Sequence, residues 1–216
     1  ALGQPHREET EYRDLFKTVE GQTRRLGRLV QDLFLLSRAN AGPLPLRREL
    51  LYLDELVMDV ANQVEVLARQ KNIRVLVEGL KETPFRGDDE LLRRLLMVLL
   101  DNAFQHTPSG SEVTIQFEPG DKDCLILVRD SGPGIPDRDI PHVFERFYRA
   151  DKSRPHGATD SGGAGLGLPI GRTIAEAHGG SLDLISTGPE GSTFQIALPL
   201  EANAIEEQPL PGNDGQ

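Results

Sequence analysis

The chain has 216 residues, 38% of them hydrophobic and 27% charged, proportions that suit a globular chain and exclude wholesale disorder. Its 34 Asp and Glu against 24 Lys and Arg leave a net charge of −10, which repels phosphate backbones on average and argues against direct nucleic-acid binding. Apolar runs are too short for a membrane-spanning helix, and the N-terminus lacks the basic-then-apolar pattern of a signal peptide.

The start at Ala1 leads us to expect a fragment or a processed product. The single cysteine, Cys124, cannot form an internal disulfide; it fits a reducing compartment and reads as a small apolar strand residue. Residues 1–8 read as a linker end. From Glu9 to Ala41, Phe16, Val19, Leu26, Leu29, Val30, Leu33 and Leu36 recur at helical spacing, with Arg24, Arg25, Arg28 and Asp32 between them. A helix of about 30 residues, ~45 Å long, with one apolar stripe needs a partner helix. That reading is preferred over one that folds the helix back on its own domain. Gly42-Pro43 stops it.

After the Pro43/Pro45 joint, Leu46–Leu51 reads as a short strand. Asp54 is expected to N-cap a helix running to Gln70. Ile73–Val77 alternates as a strand and Gly79–Pro84 turns. Asp88 caps a densely apolar, buried helix ending near His106. Val113–Phe117 and Cys124–Asp130 form an antiparallel pair across Pro119-Gly120-Asp121. Residues 131–164 are rich in Gly and Pro and longer than an ordinary connection, the pattern of a lid or binding loop. A third helix starts near Leu166 and ends at His178-Gly179-Gly180. Ser181–Ser186 and Thr193–Leu200 form a last hairpin, and the polar tail from Glu201 is expected to be disordered. The sum is an α+β chain: a two-layer α/β sandwich with a mixed, mostly antiparallel sheet, preceded by one long helix. The expected division is 1–42 linker and bundle helix, 43–200 sandwich domain, and 201–216 tail.

Four clusters carry chemistry. Asp101-Asn102 interrupts the apolar run Leu95–Leu100, and a carboxamide there can offer oxygen to a hard cation such as Mg²⁺. Asp130-Ser131-Gly132-Pro133-Gly134-Ile135 follows a strand; its carboxylate can accept a hydrogen bond from an exocyclic amine, and its glycines allow close backbone approach. Gly162-Gly163-Ala164-Gly165-Leu166-Gly167-Leu168 opens a helix, where backbone N–H groups can hold phosphate. It is neither a Walker A motif nor a dinucleotide fingerprint. Gly191-Ser192-Thr193-Phe194 is a glycine turn entering the last strand. Between the second and third clusters lie Phe144-Glu145-Arg146-Phe147-Tyr148-Arg149, then Lys152 and Arg154, aromatics that can pin a lid and cations that can meet phosphate.

In order and spacing these segments resemble the catalytic ATP-binding region of bacterial sensor histidine kinases, within the gyrase/Hsp90/MutL-like ATPase superfamily. DNAFQHT resembles the N box, DSGPGI, GGAGLGL and GSTF the three glycine boxes, and FERFYR the F box. The FERFYR wording is most similar to kinases that partner winged-helix response regulators. The resemblance covers about residues 10–200 and implies the Bergerat-type ATP-binding fold preceded by the second helix of a dimerisation and phosphotransfer bundle. It implies ATP and Mg²⁺ as ligands, with Asn102 holding the metal between the phosphates and Asp130 bonding the adenine amine. Gly132, Gly134 and Ile135 would shape the adenine pocket, with Phe144, Phe147 and Tyr148 beside it. Gly163, Gly165, Leu166, Gly167 and Leu168 would line the triphosphate, and Thr193 would sit near the adenine. Arg146, Arg149 and Arg154 would steady the γ-phosphate, since phosphoryl transfer needs positioning and charge neutralisation above all.

The implied activity is transfer of the γ-phosphoryl group to a histidine absent from this chain, then to an aspartate on a response-regulator receiver domain. The full-length protein would be a homodimer anchored in the bacterial inner membrane, with this part cytoplasmic. Two departures stand out. Val98 occupies the place of a second Asn in such kinases, or of a water-activating Glu in the hydrolytic relatives, and Gln105 stands where a Lys is common. His6, His106, His142, His156 and His178 all lack the acceptor setting, with His6 nearest to it; His178, at a helix end, is expected to carry partial positive charge. A non-catalytic ATP-binding regulatory module and an anti-sigma-type serine kinase are the alternatives.

Overall fold

The structure is a computed structural model that describes residues 9–149 and 164–200. His6, Lys152, Arg154, His156, Gly162, Gly163 and the 201–216 tail lie outside the described residues. The chain divides into two compact units, Ala1–Leu44 and Pro45–Gln216.

Among the described residues the first unit holds one helix, α1 (Glu9–Ala41, 33 residues). Phe16, Val19, Leu26, Val30, Leu33 and Phe34 are exposed along it. The Arg38 guanidinium lies over the Phe34 ring, 5.0 Å from its centroid.

The second unit contains β1 (Glu49–Tyr52), α2 (Leu53–Gln70), β2 (Arg74–Glu78), β3 (Pro84–Gly87), α3 (Asp89–His106), β4 (Glu112–Pro119) and β5 (Asp123–Asp130). A 3₁₀ turn (Ile140–His142) follows, then α4 (Gly167–Ala177), β6 (Ser181–Gly188) and β7 (Gly191–Pro199). Five strands form one sheet in the order β2-β4-β5-β7-β6, parallel only between β2 and β4. Strict alternation turns Val113, Ile115 and Phe117 of β4, Ile126 and Val128 of β5, and Phe194, Ile196 and Leu198 of β7 onto one buried face. Leucines of α3 and the apolar side of α4 complete that core. The layers are those of a two-layer α/β sandwich with a mostly antiparallel sheet. Cys124 is buried in β5, where burial pushes its thiol up to about 12.

Three local expectations are corrected. The first strand starts at Glu49, and it pairs with β3 in a separate two-stranded ribbon; the expected turn ends at Pro84, and no strand is expected between it and Asp88. β3 has four residues, too few to show a period, yet it buries Phe85. Asp54 is not an N-cap: α2 begins one residue before it, and the Asp54 carboxylate accepts from the Thr83 backbone N–H at 2.9 Å. Local turn chemistry yielded to a tertiary hydrogen bond.

The third correction concerns His178. It is 2% exposed, and burial lowers its pKa below the ordinary 6.5, so the ring is neutral rather than a partial cation at a helix end. Its Nδ1 donates to Ile174 O at 2.8 Å, and its Nε2 accepts from the Asp88 N–H at 3.0 Å. Asp88 itself N-caps α3 by accepting from Leu91 N–H at 3.1 Å, as the sequence predicts, and also accepts from the Arg47 N–H. One neutral ring thereby clips the end of α4 to the start of α3.

Stability should follow that ring. As pH falls, the unfolded chain binds the histidine proton first, so the contribution of neutral His178 is complete above about pH 6.5 and declines below it. Urea melts at about pH 7.5 and about pH 5.5 should show this loss. His178→Gln should lose about 1–3 kcal/mol at the higher pH and flatten the difference between the two.

Candidate nucleotide-binding site

The site forms where β5 ends, α3 ends and α4 begins. On α3, Val98, Asn102 and Gln105 follow at helical spacing and share a face. A Cβ built at Gly167 would lie 3.3 Å from Val98 Cγ1, and one at Gly171 3.7 Å from it. Val98 is thus a packing residue against the first turns of α4. Asn102, half-buried, lies one turn further along α3 on the same side.

Leu166 is buried and precedes α4 as its N-cap without a side-chain hydrogen bond. The first-turn N–H groups of Leu166, Gly167 and Leu168 therefore lack helical partners; Pro169 has none to offer. This is a helix start suited to an anion, with the Asn102 carboxamide on the neighbouring helix face. Among the described residues no cluster of three or more His, Cys, Asp or Glu could hold a metal ion. One carboxamide oxygen fits a Mg²⁺ carried chiefly by ligand phosphates, not an all-protein cage.

Asp130 ends β5 on the helix-covered face and is 4% exposed. Gly132 N–H donates to its Oδ1 at 2.8 Å, and the Ser192 N–H is a second donor. Burial raises the carboxyl's pKa, and the two N–H groups oppose that rise. Any side chain at Gly132 would meet the same Oδ1 at 2.7 Å and His106 O at 2.9 Å, so only Gly fits there. Gly134 has φ +75, and a Cβ there would collide with Gly188 O. Ile135 N–H donates to Thr187 Oγ1 at 2.7 Å, tying this loop to β6.

Thr193 is not beside Asp130. Its register partner is Arg129, so it lies on the opposite, open face of the sheet. Ser192, 3% exposed, faces Asp130 instead. The period-two alternation of Phe194, Ile196 and Leu198 was the available signal, since Ser192 shares their parity.

The aromatic segment makes internal contacts. Phe144 meets Phe194 edge-on at 6.3 Å, and the Arg172 guanidinium stacks 4.0 Å from its centroid. The Tyr148 hydroxyl donates to Asp139 Oδ1 at 2.7 Å, which holds the phenol above its usual range, and its ring lies 5.2 Å from that of His142. Asp139 is 5% exposed, a buried carboxylate that the sequence reading missed. Phe147 alone of the three aromatics is exposed, at 62%, and its N–H donates to Gly165 O at 2.8 Å. That bond joins the aromatic segment to the approach to α4. Arg146 and Arg149 lie in the same segment, exposed and half-buried.

Residues 87–202 match the family described as histidine kinase-, DNA gyrase B- and HSP90-like ATPase. The chain belongs to that family. It is 40% identical over 188 residues to the sensor protein SphS of Synechococcus elongatus, covering 84% of this chain and 45% of that protein. It is 37% identical over 193 residues to the sensor histidine kinase RppB of Synechocystis, covering 88% and 41%. The chain thus spans less than half the length of these curated relatives. Among solved structures, the Acinetobacter baumannii histidine kinase AdeS superposes with a TM-score of 0.72 at 26% identity, over 91% of this chain and 87% of that one. The mycobacterial sensor histidine kinase MprB superposes with a TM-score of 0.55 at 30% identity, over 70% and 97%.

The close approach at Gly134 gives a direct check. Gly134→Ala should cost at least about 1–2 kcal/mol in chemical denaturation from the left-handed backbone alone. Gly188→Ala, whose Cβ would meet nothing within 4 Å, should stay within about 0.5 kcal/mol.

Proposed function

We propose that the chain is the ATP-binding kinase part of a two-component sensor histidine kinase. The observation that carries the reading is Asp130: a buried carboxylate held by two backbone N–H groups, on the sheet face that also bears the uncapped start of α4. The carboxylate accepts a hydrogen bond from the adenine 6-amino group, while Gly132 and Gly134 keep side chains out of the base site. The N–H groups at the start of α4 hold the phosphates. Asn102 offers its carboxamide oxygen to Mg²⁺ bound with the nucleotide, whose charge neutralises that of the phosphates. Arg146 and Arg149 are the cations assigned to the γ-phosphate; the same assignment for Arg154 and Gly163 falls outside the described residues.

In the transfer itself, the imidazole nitrogen of an acceptor histidine forms a bond to the γ-phosphorus as the bond to the bridging oxygen breaks and ADP leaves. That acceptor is assigned to another helix of the full-length protein, because none of the five histidines has the acceptor's sequence setting and His178 is buried in its clip. A response-regulator aspartate then receives the group. Homodimerisation and anchoring in the inner membrane belong to the same proposal for the full-length protein; no helix among the described residues is long and apolar enough to cross a membrane. Val98 favours a kinase over a hydrolytic enzyme, because its methyl groups pack against α4 where a water-activating carboxylate would stand.

Titration calorimetry with a non-hydrolysable ATP analogue, with and without Mg²⁺, tests this. The unaltered chain should bind, more tightly with Mg²⁺. Asp130→Asn should weaken binding about ten- to a hundredfold, the loss of a charged hydrogen bond of about 1.5–3 kcal/mol. Absence of binding by the unaltered chain would overturn the proposal.

A further inference from the structure

Thr187 lies outside every motif, yet its hydroxyl joins the two segments that build the base site. It accepts the Ile135 N–H at 2.7 Å and lies 2.9 Å from the Ser192 hydroxyl. Ser192 is buried, and its own N–H donates to Asp130. Resting on the adenine site proposed above, we infer that Thr187 is a positioning residue that makes the site select a 6-amino over a 6-oxo purine, by fixing which way the Ser192 proton points.

A threonine hydroxyl has one proton to give and two lone pairs. One lone pair is taken by the Ile135 N–H. Among the described residues, the one acceptor found for the Thr187 proton is Ser192 Oγ. A chain running Ile135 N–H to Thr187 O–H to Ser192 Oγ gives every proton an acceptor, and each bond polarises the next in the same sense. Ser192 must then direct its own proton into the site. Beside the Asp130 carboxylate, an acceptor, this sets a donor. Adenine presents the complement: the N6 amine donates to Asp130 and N1 accepts from Ser192. Guanine presents the reverse, with O6 facing the carboxylate and N1–H facing the Ser192 proton. If Ser192 could turn its proton toward Thr187, its oxygen would accept the guanine N1–H. Thr187 prevents that reversal, so rejection of the wrong base is built from an orientation as well as from a charge.

The test compares the Kd values of AMP-PNP and GMP-PNP, each with Mg²⁺, for the unaltered chain, Thr187→Val, Thr187→Ser and Ser192→Ala. Val has nearly the shape of Thr without the hydroxyl, and a thermal melt of each variant verifies folding. Thr187→Val should lose about tenfold of the preference for AMP-PNP, one hydrogen bond's worth, partly through tighter GMP-PNP binding. Thr187→Ser should restore the preference. Ser192→Ala should lose it to a similar extent, and adding Thr187→Val to it should lose no more. Thr187→Ala, which also lacks the hydroxyl, should repeat the loss and keeps the inference testable if Thr187→Val folds poorly. Equal weakening of both nucleotides, or an unchanged ratio, would overturn this inference alone. A chain that binds neither nucleotide would overturn it together with the adenine site on which it rests.

Discussion

The site depends on keeping one carboxylate buried and ionisable at the end of a central strand. Burial of Asp130 works against its charge, and the Gly132 and Ser192 N–H groups counter that. Both donors are delivered by backbone, so both need backbone to come close. Gly191 enters β7 with φ +121, and a Cβ there would collide with Asp130 O. A glycine at that turn is therefore a condition for the carboxylate's second donor. The glycines around Asp130 share one physical purpose, which is to let main chain replace the water that a buried anion has lost.

The helix layer solves a different problem. It must bring the start of α4 beside the face of α3 that carries Asn102. Gly171 lets α4 approach closely, since a Cβ there would lie 2.9 Å from Leu182 Cδ2 and 3.2 Å from Leu95 Cδ1. Val98 fills the crossing near Gly167. At the other end of α4, neutral His178 fixes the helix to the cap of α3 through Asp88. The pair α3 and α4 is thus held at both ends, and the uncapped first turn of α4 is set by packing that lies outside the ligand site.

Much of this was legible in the residues. Asp130, Gly132 and Gly134 follow an alternating strand directly, and a glycine-rich segment opening a helix has few physical purposes. The two-layer fold followed from element order and from apolar periodicity. What escaped was set by contacts distant in sequence. Asp54 had the chemistry of a cap, but Thr83 engages it. His178 resembled a cation at a helix end until its burial and its two partners were seen. β3 is too short to reveal its period. Ser192, not Thr193, faces Asp130 for a different reason: it shares the parity of the buried residues of β7, and one residue of shift moves a side chain to the other face of the sheet. The contacts of Asp139 with Tyr148 and of Thr187 with Ile135 join segments that no local pattern connects.

The proposed adenine nucleotide site lies on the helix-covered side of the sheet, between Asp130 and the start of α4. An amide-resolved NMR titration of the chain with AMP-PNP and Mg²⁺ tests it most directly. The largest shifts are expected at the Gly132, Ser192 and Gly167 amides, with Gln116 and Leu127 on the open face little changed. Shifts centred on Arg129 and Thr193, or none at Gly132 and Ser192 while the nucleotide binds, would contradict it.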